Sequence, residues 1–242
     1  MYTTFTSHGR RLELCGENLE SLMYPKQTME AERYILTIYR DDVSHLLKNK
    51  RLIKYIEDGK LDVILAPVNL KTCNKWYWAM QMYDDLPIIT VDDDMVYNQK
   101  ALRLLYDSWK NNIDCAVANQ TVHKINFDEN YIKQWKRNTT SYSPSLDLIA
   151  EGYVGILYPP RFKKYIARWF DLIKDNEPLM KNDDIVLHWI KHKNNVKTVP
   201  LNHNACVACN LVEKISPSRI YNATHNFTQK AIDILQKVYH ID

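Results

Sequence analysis

Between Tyr2 and Ala118 the chain alternates short β-branched runs with amphipathic stretches, and this alternation limits the fold more than any other feature. Tyr2–Thr6, Arg33–Tyr39, Leu61–Pro67, Leu86–Val91 and Asp114–Ala118 read as strands. Glu17–Met23, Val43–Asp58, Lys71–Tyr83 and a stretch capped by Asn98 and running through Trp109 read as helices between them. In Val43–Asp58, residues Leu46, Leu47, Leu52, Ile53 and Ile56 fall on or near one face. Strands joined by helical crossovers pair in parallel and bury both sheet faces. The expectation is therefore an α/β, Rossmann-like fold with a mostly parallel central sheet flanked by helices. A length of 242 residues with 45% apolar content supports one domain over residues 1–242. Its two halves are 1–121 and 122–242, the second less regular. There, Gly152–Tyr158 reads as a strand stopped by Pro159-Pro160, and Asn138–Ser145 as a loop over the site. Arg161–Ile173, Asp183–Lys191 and Thr228–His240 read as helices.

The run Leu86–Val91 ends in Asp92-Asp93-Asp94. Ligands of open α/β sheets sit at the carboxyl ends of strands. Three adjacent carboxylates repel one another unless a cation or hydrogen-bond donors lie among them. The triplet thus points to a divalent metal that holds a phosphate-bearing substrate. A second acidic pair, Asp183-Asp184, opens a helical stretch. Taken alone, it also fits an ordinary helix N-terminus, where Asp is favoured. Taken with the triplet on one sheet, one group would bind a metal–diphosphate and the other would serve as a general base.

Other classes are disfavoured. Lys plus Arg is 32 and Asp plus Glu is 29, a net charge of +3 that does not call for nucleic acid. Neither G-x-G-x-x-G nor G-x-x-x-x-G-K-[ST] is present, so no such Gly-rich loop grips phosphate. The apolar runs are too short to span a bilayer. Met1–Phe5 leads straight into a strand, so no signal peptide is expected. Five scattered cysteines suit a reducing cytosol, and Cys206-x-x-Cys209 lacks the second pair that a structural zinc would need. The expected location is cytoplasmic. Arg161-Phe162-Lys163-Lys164-Tyr165 offers a peripheral contact with the inner face of the membrane, although a solvated helix face also explains it.

Several blocks in order resemble a known family. These are Thr6-Ser7-His8-Gly9-Arg10-Arg11; Lys75 before Trp76-Tyr77; Pro87 through Asp94; Val122 through Asp128; Gly152 through Pro160; and Asn182-Asp183-Asp184. Together they resemble bacterial GT-A-type inverting glycosyltransferases related to family 2, over roughly Thr4 to His192. The resemblance implies a GT-A fold, with the nucleotide sugar bound by 1–121 and the acceptor by 122–242. It implies transfer, with inversion, from a nucleotide diphosphate sugar, a UDP-sugar by analogy. The acceptor would be a saccharide or lipid-linked saccharide of a surface polysaccharide, lipopolysaccharide or capsule. Thr6, Ser7, Arg11, Lys75, Asp92, Asp93 and Gly155 would hold the donor, with Lys75 on its phosphates. Mn²⁺ or Mg²⁺ would sit on Asp94 and Asp92, with His203 as a further ligand or simply a loop histidine. Asp184 would be the base and Asp183 its reserve. Val154 replaces an expected glycine, and Val186 an expected tryptophan, which shifts acceptor stacking toward Trp189. Trp76, Tyr77, Trp78, Tyr97, Tyr131, Trp135, Tyr153 and Tyr158 are divided between core and acceptor platform.

Two rivals remain open. Asp92, Asp94 and Val96 also fit the D-x-D-x-[TV] pattern of haloacid-dehalogenase-like phosphatases, with Thr121 and Asp183-Asp184 imitating later motifs. That nucleophile normally ends the first strand, however, and several strands precede it here. The other rival is a non-catalytic nucleotide-sugar or glycan-binding module, which would need the base pocket and Asp94 but not Asp184.

Overall fold

The computed structural model describes residues 1–83, 85–123, 136–209 and 227–239. Among the described residues twelve strands run β1 (Tyr2–Thr6), β2 (Arg33–Tyr39), β3 (Leu61–Ala66), β4 (Ile88–Thr90), β5 (Met95–Tyr97), β6 (Ala116–Ala118), β7 (Thr121–His123), β8 (Lys136–Arg137), β9 (Leu148–Ala150), β10 (Ile156–Tyr158), β11 (Thr198–Pro200) and β12 (Cys206–Ala208). Seven of them form the central sheet, in the order β11-β6-β10-β4-β1-β2-β3. All pairings are parallel except those of β10, which runs antiparallel to both β4 and β6. The expected α/β architecture with a mostly parallel, helix-flanked sheet is what the chain adopts.

Side chains on successive residues point to opposite sheet faces, so a sheet covered on both sides is apolar throughout. The core divides accordingly. Ile35, Ile88, Ala116, Ala118, Ile156 and Tyr158 join one cluster. Leu36, Ile89, Val117 and Leu157 join the other. The helix Tyr77–Met82 and the helices between Lys163 and Lys193 cover the first face, and the helices Gly16–Leu22 and Ala101–Lys110 cover the second.

Several expected elements are broken. Val43–Asp58 becomes two helices, Val43–Leu46 and Lys50–Glu57. The Asn49 side chain accepts from Arg51 N and Leu52 N and starts the second afresh. Lys71–Tyr83 becomes a 3₁₀ turn, Lys71–Lys75, followed by Tyr77–Met82. Arg161–Ile173 is a chain of short helical and 3₁₀ turns rather than one helix. Asn98 does not cap its helix. Its side chain accepts from Lys100 N in a turn, and the helix begins at Ala101. Thr121 opens an antiparallel sheet, β8-β7-β9, that periodicity did not reveal. The Asn138–Ser145 loop is tied at both ends. Asn138 is buried and its side chain accepts from Thr140 N and Ser141 N, while Ser145 and Thr198 exchange backbone bonds. Among the described residues, no helix is long and apolar enough to cross a membrane.

Candidate active site

The central strands end at one edge of the sheet, and the two acidic clusters meet there. Asp93 is the buried member of the triplet, 4% exposed. Ser7 Oγ donates to its Oδ2 at 2.5 Å, and Arg11 Nε donates to the same oxygen at 3.2 Å. Arg11 Nη2 bonds Asp93 Oδ1 and also reaches Asp94 Oδ2 at 3.0 Å. The Ser7–Arg11 segment after β1 is therefore bound to the aspartate triplet by its side chains. Thr6 turns the other way, and its hydroxyl donates to Thr37 O at 2.7 Å.

Asp92 faces the opposite partner. Lys75 Nζ lies 2.6 Å from Asp92 Oδ1 and 2.7 Å from Asp183 Oδ2. Lys75 is buried, and burial opposes its charge. Asp183, Asp92 and Asp184 outweigh that and raise its pKa well above the usual lysine value. Its ammonium is thus shared between the two clusters. The backbone beside it is fixed by Thr4, whose hydroxyl donates to Lys75 O at 2.8 Å.

Asp183 and Asp184 occupy the first turn of the helix Asp183–Lys193. Their carboxylates reach across to other elements. Asp183 pairs with Lys75, and Asp184 accepts from Gly152 N through both oxygens, at 3.0 and 3.1 Å. Burial, then the neighbouring Asp183 charge, pushes Asp184 up to about 8. Gly152 lies in a 3₁₀ turn, Gly152–Val154, where the sequence pattern had implied strand. Gly155 follows at φ +92°, a backbone that favours glycine, and only then does β10 begin.

Burial, with Asp92 and Asp93 close by, raises Asp94 to about 6. A negative surplus facing outward at two carboxylates, Asp92 and Asp94, suits Mn²⁺ or Mg²⁺. Such ions take one or two protein carboxylates and complete their shell with substrate phosphates and water. Among the described residues, no group of three or more His, Cys, Asp or Glu side chains could hold a metal alone. His203 stands beside Asn98, with Nε2 3.1 Å from Asn98 Nδ2.

Three supporting residues were not identified as such from the sequence. Asn18 Nδ2 donates to Asp92 O at 2.6 Å and Met95 O at 2.9 Å, and so fixes the turn of the triplet. Tyr97 OH accepts from Asp92 N at 3.0 Å and donates to Tyr153 O at 2.7 Å. Gly152 supplies the amide to Asp184. Asn18 and Tyr97 act on main-chain atoms, which leave no mark in a motif. The aromatic platform is reduced. Trp76, Tyr77, Tyr97 and Tyr158 are buried in the core, as is Trp189, which cannot stack an acceptor from there. Tyr153 remains half-buried beside the site, where its hydroxyl donates to Gln120 Oε1 at 2.9 Å. Tyr131, Trp135 and the Lys124–Asp128 part of one resembling block lie outside the described residues.

No protein-family model matches the chain, and no curated protein sequence matches it. Solved structures do match. One is S. aureus TarS, residues 1–349, with a TM-score of 0.50 and 14% identity, covering 98% of this chain and 69% of that one. The likeness is one of fold: a mostly parallel, helix-flanked α/β sheet shared with a neighbour of GT-A type.

Proposed function

We propose that the protein is a metal-dependent glycosyltransferase that moves a sugar, with inversion, from a nucleotide diphosphate sugar to a saccharide or lipid-linked saccharide acceptor. One observation carries this reading: the buried Lys75 ammonium bonds both Asp92 and Asp183, so the triplet and the acidic pair form a single site. A GT-A-type fold supplies the context.

In this reading Asp94 and Asp92 would hold Mn²⁺ or Mg²⁺, which would supply positive charge to the leaving diphosphate. Ser7 and Arg11 keep Asp93 fixed beneath that site. Asp184 accepts the proton of the acceptor hydroxyl. The acceptor oxygen bonds to the anomeric carbon, the bond from that carbon to the diphosphate oxygen breaks, and the nucleoside diphosphate departs. A carboxyl near pH 8 is well matched to proton transfer around neutrality. A UDP-sugar as donor and a surface polysaccharide as product follow by family analogy, as does action at the cytoplasmic face.

The experiment is a thermal-shift screen of nucleoside diphosphates and their sugars with and without Mn²⁺, followed by turnover assays of the best donor. A metal-dependent shift with one nucleotide, and release of that nucleotide on adding an acceptor, is the expected result. Phosphate release from simple esters without nucleotide release would replace this reading with a phosphatase. Donor binding without turnover would replace it with a binding module.

A further inference from the structure

We propose that Arg11 is a resident counter-ion of the aspartate triplet, which keeps divalent-cation affinity low until a diphosphate joins the site. This rests on the metal-site reading above. The argument begins with how Arg11 is held. Its guanidinium grips Asp93 in a two-point fork, Nε to Oδ2 and Nη2 to Oδ1, a geometry that fixes a planar group firmly. The backbone is fixed too. Arg11 lies in the short helix Gly9–Leu12, pinned by fully buried Leu12 and by Gly9 N donating to Asp42 Oδ1 at 2.8 Å. Asp93 is in turn held by Ser7.

The third contact is the consequential one. Nη2, already on Asp93, also lies 3.0 Å from Asp94 Oδ2. A cation arriving at Asp94 breaks that contact and leaves the fork intact. Arg11 cannot swing away, so a full positive charge stays within a few ångströms of the cation. The Arg11 side chain is only 13% exposed, so water screens the repulsion poorly. Lys75, buried on Asp92, adds a second fixed positive charge on the other side. A bare divalent ion therefore meets carboxylates whose charge Arg11 and Lys75 already offset in part. A nucleoside diphosphate brings the missing negative charge and relieves the repulsion. Cation and diphosphate should accordingly bind with strong mutual dependence.

Calorimetric titration of MnCl₂ into the full chain tests this, alone and with UDP present. In the wild type, UDP should raise Mn²⁺ affinity by about tenfold or more. Arg11→Gln should bind Mn²⁺ alone about tenfold tighter than wild type and lose most of the dependence on UDP. Arg10→Gln, which removes an exposed charge next door, should behave as wild type. Asp94→Asn should cancel the gain of Arg11→Gln. Equal or weaker Mn²⁺ binding by folded Arg11→Gln would overturn the inference, as would an equal gain in Arg10→Gln. If Arg11→Gln fails to fold, the wild type still decides: additive binding of Mn²⁺ and UDP overturns the role given to Arg11. Additive binding with intact sugar transfer would leave the transferase reading standing. Absence of any nucleotide binding would end both.

Discussion

The Gly152 amide points between the two carboxylate oxygens of Asp184, at 3.0 and 3.1 Å, with no side chain in the way. A Cβ on Gly152 would lie 2.5 Å from Asp184 Oδ1 and 3.1 Å from Lys75 Nζ. Gly152→Ala must therefore displace the carboxylate or the lysine. The expected outcome is a loss of about 1–3 kcal/mol in urea unfolding and at least a tenfold drop in kcat. Gly155→Ala provides the contrast. Its Cβ would meet only ordinary contacts, the nearest at 3.4 Å, but φ +92° strains any other residue. It should cost stability and leave the pH dependence of transfer unchanged.

Under the proposed role of Asp184 as base, the pH dependence of transfer follows from its titration. A base that titrates at about 8 works only when deprotonated, so kcat should rise with pH and level off above that value. The Asp183 charge is the second cause of the shift, after burial. Asp183→Asn should thus move the midpoint downward. A pH–rate profile of that variant checks this, and an unmoved midpoint would count against Asp184 as the base.

The same shift has a thermodynamic consequence. Between the ordinary carboxyl value of 3.8 and about 8, the folded chain holds a proton on Asp184 that the unfolded chain has released. Stability attributable to this group therefore falls as pH rises through that window. Asp184→Asn should raise Tm by a few degrees at pH 8 while abolishing transfer, measured by calorimetry and by donor turnover.

Lys191 gives the opposite slope. It is 2% exposed, its Nζ donates to Thr198 Oγ1, and burial pushes it down to about 7. From about 7 to the ordinary 10.5 the unfolded chain binds the extra proton, so the contribution of this group to stability rises with pH. Lys191→Met should raise Tm at pH 7 and flatten the rise in that range. A variant that melts lower at pH 7 would show that the bond to Thr198 outweighs desolvation.

Lys75 should be the least replaceable residue of the site. Lys75→Met leaves Asp92 and Asp183 facing each other without a cation. Removing one partner of a buried pair costs about 3–5 kcal/mol, and partly exposed Asp92 places the expected loss toward the lower end. Denaturant melts give the figure. A loss below about 1 kcal/mol would mean that water already screens the pair.

The parts of this structure that could be read from sequence are those written in side-chain periodicity. β1 and β2 show it best: β-branched and aromatic residues on both faces, ending at Thr6 and Tyr39 as expected. The triplet could be read because three carboxylates after an apolar run have few structural uses. What could not be read depends on partners distant in the chain. The direction of β10 is set by the two strands beside it, and Ile156-Leu157-Tyr158 would look the same in either orientation. The resemblance marks Lys75 for the donor phosphates, but its place between Asp92 and Asp183 emerges only when those residues are set around it. Asn49 breaks a helix through a cap that apolar spacing does not encode.

The antiparallel placement of β10 also governs how the chain can be made. β4 and β6 belong to the early part of the sequence, yet neither pairs with the other, because Ile156–Tyr158 sits between them. A nascent chain that has emerged only as far as Glu151 leaves β4 with a bare sheet edge and β6 without either of its partners in the central sheet, β10 and β11. Such edges recruit any extended segment within reach. Closure waits for β10 and then for β11, so the sheet depends on late, long-range pairings that make folding slow. Cutting the chain before Gly152 would therefore release an adhesive fragment rather than an independent nucleotide-binding unit.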